Sequence, residues 1–264
     1  MKIATWNVNS VRARHDRLLA WLAAHRPDVL CCQELKVTDE AFVEEVFPAG
    51  ELAAAGYHAV THGQKTYNGV AILARTEPTG VARGMDDGVA DPQARAIAAD
   101  VAGVRIVNAY VPNGQSVGSD KWDYKLAWLA RLGDWLARSA DPSDKLIVCG
   151  DFNIAPRDCD VAHPDAWAES VLCHPDARAA LAKLLAWGLV DVLAEHHPAG
   201  GVYSWWDYRR MAFQRHDGLR LDLLLATAPL AGKCTAADVD RDQRKGTKDD
   251  KPSDHAPVIA TLDV

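Results

Sequence analysis

Carboxylates, amides and an imidazole recur in this sequence where apolar runs begin or end. Asn7 follows Ile3-Ala4-Thr5-Trp6, and Glu34 follows Val29-Leu30-Cys31-Cys32-Gln33. Asp151 and Asn153 follow Leu146-Ile147-Val148-Cys149-Gly150, Asp222 lies within Leu219-Arg220-Leu221-Asp222-Leu223-Leu224, and Asp254-His255 directly precede Ala256-Pro257-Val258-Ile259. Each alone has an ordinary explanation, since Asp and Asn make caps and turns and Glu34 reads equally well as a solvated strand end. Repetition at strand ends, where side chains from separate strands can converge, argues for one shared site.

The residue types fit one chemistry. Mg²⁺ takes oxygen ligands and keeps several waters, so one or two carboxylates with an amide oxygen suffice, and Glu34 with Asn7 meets that demand. Hydrolysis of a phosphodiester then needs a group to orient or deprotonate water, for which Asp151 is the candidate. It also needs donors aimed at the phosphoryl oxygens, a role suited to Asn153, His255 and Tyr110. An imidazole works better there when a carboxylate sets its tautomer, as Asp222 can.

The elements that must position these groups can be read from periodicity. Residues 2–6 and 28–33 read as buried strands, with a helix between them that Ser10 would cap, Val11, Leu18 and Leu22 would anchor, and Pro27 would end. Strands are expected at 57–62 and 68–74, joined through Tyr67-Asn68-Gly69, and at 94–101 and 104–111. A helix over 121–138 follows, with Trp122, Leu126, Leu129 and Leu136 on one stripe, then the strand 145–149, a helix over 175–187, and strands near 201–205, 219–226 and 256–262. The stretches 112–120, 151–173, 205–218 and 228–253 read as long irregular loops, a kind that is often functional. Many strands with a few helices suggest sheets packed face to face under helical cover.

Composition bounds the answer without deciding it. The chain has 264 residues, within reach of a single domain over 1–264, and no apolar run approaches the roughly 20 residues of a membrane span. The N-terminus runs straight into a strand-like segment without signal-peptide layout, so a cytoplasmic protein is expected. Six cysteines include no CxxC pair and read as small core hydrophobes, which leaves zinc without a site. His15, His25, His58, His62, His163, His174, His196 and His197 show no ligand spacing. The net charge of −7 sits badly with a partner rich in phosphate, yet 205–220 and 241–251 are each locally basic.

The stretches from Trp6 to Ala13 (WNVNSVRA), Gln33 to Lys36 (QELK), Tyr110 to Gly114 (YVPNG), Gly150 to Pro156 (GDFNIAP) and Ser253 to Pro257 (SDHAP) resemble the ordered motifs of the exonuclease/endonuclease/phosphatase superfamily. The chain is similar to its bacterial exonuclease III branch nearly end to end. The segments from Gly188 to Asp191, Tyr203 to Arg209 and Gly218 to Asp222 strengthen that narrower likeness. The resemblance implies a DNase I-like α/β fold, a four-layered α/β sandwich of two packed mixed β-sheets flanked by helices, with the site at one edge of the sheets. It implies that Asn7 and Glu34 hold the metal with Asp254 close by, that Asp151 activates or orients water beside Asn153, that Tyr110, Asn113 and His255 contact the phosphate, and that Asp222 pairs with the histidine.

The implied activity is a Mg²⁺-dependent DNA phosphodiesterase of base-excision repair, with Mn²⁺ as a substitute ion. It would cut 5′ to abasic sites and carry 3′→5′ exonuclease and 3′-phosphodiesterase activity. The partner would be double-stranded DNA with abasic sites or blocked 3′ ends, bound by a monomer. The same superfamily includes phosphatases and phosphodiesterases of small molecules and lipid headgroups, and a catalytically silent DNA-binding relative is a further alternative.

Residues 203–222 bear most on the substrate. They interleave Trp205, Trp206, Tyr208 and Phe213 with Arg209, Arg210, Arg215 and Arg220, a mixture suited to distorted or single-stranded nucleic acid and also to core aromatics beside a solvated face. By the resemblance, Trp205, Leu219 and Leu221 wall a pocket for a flipped abasic sugar. Strand alternation, however, points Leu219 and Leu221 away from Asp222, so that pocket requires a twist or bulge. The loops Lys65–Gly69 and Lys245–Lys248 are further candidate DNA contacts that read equally as solvated turns.

Overall fold

Two segments of this chain are strand, helix, strand, and each ends up as the centre of a sheet. The computed structural model describes residues 1–247 and 250–264, so Lys248 of the expected contact loop lies outside the described residues. Strand β1 (Lys2–Asn7) runs parallel to β2 (Val29–Gln33), with helix α1 (His15–His25) between them in sequence. Strands β3 (His58–His62) and β4 (Val70–Ala74) extend this sheet beyond β2. In the second sheet β5 (Thr79–Arg83) and β6 (Ala96–Val101) lead to β7 (Val104–Tyr110), which runs parallel to β8 (Leu146–Asp151) across helix α2 (Asp120–Ser139). Parallel neighbours need such a crossover, whereas antiparallel ones are joined by short turns. Helix α3 (Pro175–Ala186) then precedes β9 (Leu189–Asp191) and β10 (Asp222–Thr227), and β11 (Cys234–Val239) and β12 (Val258–Leu262) return to the first sheet. The orders are β11-β12-β1-β2-β4-β3 and β5-β6-β7-β8-β10-β9.

Alternation along these strands builds the layers. Ile3, Val29, Cys31, Val70 and Ile72 meet Ile97, Ile106, Ile147, Cys149 and Leu224 between the sheets. The intervening residues face outward under helices: Trp6, Leu30 and Leu73 beneath Leu18, Trp21 and Leu22 of α1, and Val107, Val148, Leu223 and Leu225 beneath Trp128, Leu129, Leu132, Leu181 and Leu184 of α2 and α3. A strand covered on both faces must be apolar throughout, which is why these runs lack alternating polarity. The result is the four-layered α/β sandwich. Cys31, Cys32, Cys149 and Cys173 are buried and all six cysteines are free thiols.

Several boundaries differ from the sequence expectation. β5, β9 and β11 were not anticipated, and each is an outer strand of its sheet. An edge strand is paired along one side only, and β11 (CTAADV) is fully buried at Ala237 alone, so it needs little apolar patterning, and the expected loop 228–253 is partly strand. The expected strand at 201–205 is absent. Trp205 forms isolated bridges to Leu219 and His255 instead. Ser10 precedes a short 3-10 turn, Arg12–Arg14, before α1 begins, and its hydroxyl accepts from Ala13 N at 3.4 Å. Arg26 rather than Pro27 terminates α1, in a left-handed conformation with its N–H on Leu22 O. Among the described residues no helix is long and apolar enough to cross a membrane.

Candidate active site

Parallel pairing delivers strand ends to the same edge. Asn7 lies opposite Gln33 in the β1–β2 register and Tyr110 opposite Asp151 in the β7–β8 register. The antiparallel neighbour β10 therefore contributes its first residue, Asp222, opposite Asp151. Asp254 and His255 lead into β12 beside β1. Gly150 permits this convergence: at φ +146 any Cβ would fall 1.8 Å from Ala109 O on β7.

The side chains meet across the two sheets. Asn7 Nδ2 donates to Glu34 Oε1 at 3.0 Å and to Asp151 Oδ2 at 2.9 Å, joining the sheets at one amide. Tyr110 OH donates to Glu34 Oε1 at 2.7 Å, and Arg95 stacks on the Tyr110 ring at 4.6 Å. His255 Nδ1 meets Asp222 Oδ2 at 2.8 Å while its Nε2 stands 3.7 Å from Asp151 Oδ2. Asn153 N donates to Asp151 Oδ1 at 2.9 Å, and Asn113 Nδ2 donates to Asn153 Oδ1 at 3.0 Å. Asp254 accepts from Asn9 Nδ2 at 2.8 Å and from Trp205 Nε1 at 3.0 Å. A cleft of about 840 Å³ opens beside Glu34, Tyr110 and Asn113, with Lys36, Arg95 and Lys121 on its walls.

Local backbone at the site is strained. Asn9, Ser10, Glu34, Lys36 and Asn153 all have positive φ without being glycine. Such conformations cost of order 1–3 kcal/mol each and persist where surrounding structure over-determines them. Here Ser10 N donates to Glu34 O and Lys36 N to Asn68 O, so the loops after β1 and β2 are stitched together and to the turn before β4.

Electrostatics separates the carboxylates. Burial alone would raise Glu34, but the Lys36 charge and hydrogen bonds from Asn7, Lys36 and Tyr110 hold it below the ordinary range, so it is ionised. Burial would likewise raise Asp254, which the His255 charge, Trp205 and Asn9 hold down. Burial does raise Asp151, to about 7, with the Asp222 charge adding and His255 opposing. Burial would lower His255, but Asp222 and then Asp151 push it up to about 10, so the ring is an imidazolium at neutral pH.

Two groups of residues bear on a cation. Atoms of Asp151, Asp222 and His255 lie within 4.8 Å of one another, a spacing that could hold a metal ion. His255 Nδ1 is committed to Asp222, so an ion there would have to take Nε2 in competition with a proton. The expected ligands Glu34, Asn7 and Asp254 carry oxygen donors of the kind hard divalent ions take, with Asn7 Oδ1 accepting from Asn9 N at 3.0 Å and Asp254 linked to them through Asn9. Positive charge already gathers there: Lys36 Nζ sits 2.9 Å from Glu34 Oε2 and 2.6 Å from Asn9 Oδ1.

Not every expected residue joins this cluster. Leu219 and Leu221 are 1% and 2% exposed and sit with Leu223 and Leu225 on the helix side of the second sheet, opposite the face of Asp222. β10 begins only at Asp222, where the N–H groups of Leu221 and Asp222 both donate to Ser204 Oγ at 3.0 Å. Successive N–H groups of a regular strand point to opposite sides, so this shared acceptor marks an irregular backbone where β10 starts, although both leucines still lie in the cluster of Leu223 and Leu225. Trp205, half-buried, packs against their cluster and against the edge of Trp167. Arg209 is 84% exposed in its side chain and pairs with Asp207. Arg220, counted among the basic residues of 203–222, is buried with Asp160 and Asp191.

Sequence reasoning assigned no role to Asn9, Lys36, Ser253 or Lys125. The first three lay inside the quoted motifs. Ser253 Oγ donates to Asn7 O at 2.6 Å and accepts from His255 N at 3.1 Å, so it couples the metal-side and imidazole-side groups. Lys125 had a different signal, a lysine on the apolar stripe of a helix.

Residues 4–255 match the sequence model of the endonuclease/exonuclease/phosphatase family. The chain is 36% identical to exodeoxyribonuclease III of Haemophilus influenzae, over 98% of this chain and 99% of that one. An AP endonuclease from Archaeoglobus fulgidus has a similar structure, with TM-score 0.94 and 42% identity over 100% of both chains. So does a 3′ phosphatase from Neisseria bound to a product DNA hairpin, with TM-score 0.93 and 42% identity over 100% of both chains.

Proposed function

The chain belongs to the endonuclease/exonuclease/phosphatase family and is a hydrolytic nuclease, and from that membership we propose that it is a Mg²⁺-dependent phosphodiesterase of DNA repair. It cuts the backbone 5′ to abasic sites and trims or unblocks 3′ ends. One observation carries the reading: Glu34, Asn7, Asp151, His255 and Asp222 form a continuous line of contacts across both sheets, with an ionised carboxylate at one end and an imidazolium near the other.

Asn7, Glu34 and Asp254 would hold the ion, which supplies Lewis-acid stabilisation of phosphoryl charge when bound. Asp151, raised toward neutrality, is suited to orient the attacking water and accept its proton. His255, charged and oriented by Asp222, donates to the phosphoryl oxygens together with Asn113 Nδ2. Asn153, whose Nδ2 is given to Val111 O and Asp151, holds Asn113 and Asp151 in place, and Tyr110 would turn its hydroxyl from Glu34 to the phosphate. Trp205, resting on Leu219 and Leu221, forms the apolar side on which an abasic sugar would lie, and the exposed Arg209 meets a backbone phosphate. A single domain acting as a monomer in the cytoplasm suits this role.

The test uses abasic duplex, intact duplex and a soluble phosphomonoester, with Mg²⁺ or EDTA, for the wild type and Asp151→Ala. Incision of abasic duplex is expected only with Mg²⁺ and wild-type protein, reduced about 10⁴-fold or more in the variant. Abasic cutting that survives EDTA overturns the mechanism, and preference for the phosphomonoester overturns the substrate.

A further inference from the structure

Helix α2 carries a lysine inside its buried stripe. Trp122, Leu129, Leu132 and Leu136 face the second sheet, and Lys125 among them is fully buried. Its Nζ donates to the carbonyl oxygens of Asn113 at 3.2 Å, Asn153 at 2.7 Å and Val171 at 2.7 Å. Those three carbonyls use all three ammonium donors, and no carboxylate is among them. Burial accordingly pushes the Lys125 pKa down to about 7, with the more distant Asp151 charge opposing.

An apolar side chain on this stripe would fill the same space without desolvating a charge. The lysine therefore has to be explained by what it holds. Asn113 lies in the loop after β7, Asn153 in the loop after β8, and Val171 in the segment before α3. The first two backbones carry the amide pair whose side chains bond to each other at 3.0 Å. The loop is shaped around the lysine stem: Gly114 has φ +94, and a Cβ there would stand 3.1 Å from Lys125 Cδ.

We propose that Lys125 is a positioning residue for the cleavage reaction, its ammonium clamping the loops after β7 and β8 so that the Asn113 amide is held against Asn153 at one fixed place facing the phosphate. The inference rests on the reading that the Asn113 amide meets the phosphate. Lys125 itself touches no reacting atom, so its effect must pass through that amide.

A double-mutant cycle on the full chain tests this, with cleavage of abasic duplex as the readout. Lys125→Met is expected to lower kcat about 10- to 100-fold with KM changed less than about 3-fold. Asn113→Ala should slow the wild type strongly and the Lys125→Met protein hardly at all, because the amide is already misplaced. Leu132→Ala, a core change on the same helix, should lose comparable thermal stability and keep near-normal kcat. Should Lys125→Met not fold, Lys125→Gln, which keeps two donors, takes its place in the same cycle. Factors that simply multiply, or a kcat loss no larger than that of Leu132→Ala, overturn the positioning role. An Asn113→Ala protein with normal turnover overturns the reading of that amide as well, which distinguishes the two failures.

Discussion

At the scale of single residues the site is a set of matched protonation states. Glu34 and Asp254 are kept ionised, Asp151 is raised to about 7, and His255 is held charged by Asp222. Neighbouring buried carboxylates can differ this way only because each has different partners, Lys36 and Tyr110 for one and an imidazole for another. His255 is the group whose contribution should appear most purely in the transition state, since phosphoryl charge grows as the bond breaks. His255→Ala is expected to lower kcat about 10²- to 10⁴-fold while DNA affinity changes less than about 5-fold. Steady-state cleavage set beside a binding isotherm checks it, and a large affinity loss with near-normal turnover would count against the assigned role.

At the scale of elements, the segment 203–222 is held from beneath by a buried ion triad. Arg220 pairs with Asp160 at 2.8 Å and with Asp191 at 2.7 Å, tying the loop after β8 and the end of β9 to the residues that lead into β10. Removing Arg220 leaves the largely buried Asp191 without its guanidinium and Asp160 with Arg157 alone, so Arg220→Met is expected to destabilise the fold by about 3 kcal/mol or more in denaturant unfolding. The sign of the pH effect follows from Asp160. Burial would raise its pKa, but Arg220 and Arg157 hold it below the usual carboxylate range. A depressed carboxylate contributes stability that is fully present above its unfolded pKa of about 3.9 and lost as pH falls through the folded value. Asp160→Asn should therefore flatten the fall of melting temperature below about pH 4, and an unchanged acid limb would show that other carboxylates dominate it.

At the scale of the whole molecule, a net charge of −7 must coexist with a polyanionic substrate. Much of the negative charge is paired or gathered at the site, while Lys36, Arg95 and Lys121 border the cleft and Arg209 stands exposed. Binding should then depend on a few phosphate contacts rather than on overall field. Arg209→Ala is expected to weaken DNA binding similarly for different sequences and to reduce the slope of log affinity against log salt by about 1. A salt titration that leaves the slope unchanged would place Arg209 off the DNA path.

Much of this was legible in the sequence because the local signals are strong. Buried strands announce themselves as apolar runs, and the polar residue that ends such a run stands at a sheet edge, which is how Asn7, Glu34, Asp151 and His255 could be gathered before any coordinates. Crossover helices and their sheets followed from the same periodicity. The edge strands β5, β9 and β11 did not, because half-exposed backbone pairing imposes little on side chains. Tertiary structure alone decided the distances: that Asn7 bridges Glu34 and Asp151, that Arg220 is a buried pillar rather than a DNA contact, that Leu219 and Leu221 face away from Asp222, and that Lys125 clamps two loops. Each of these depends on which strands pair and in what register, a long-range choice that no window of neighbouring residues records.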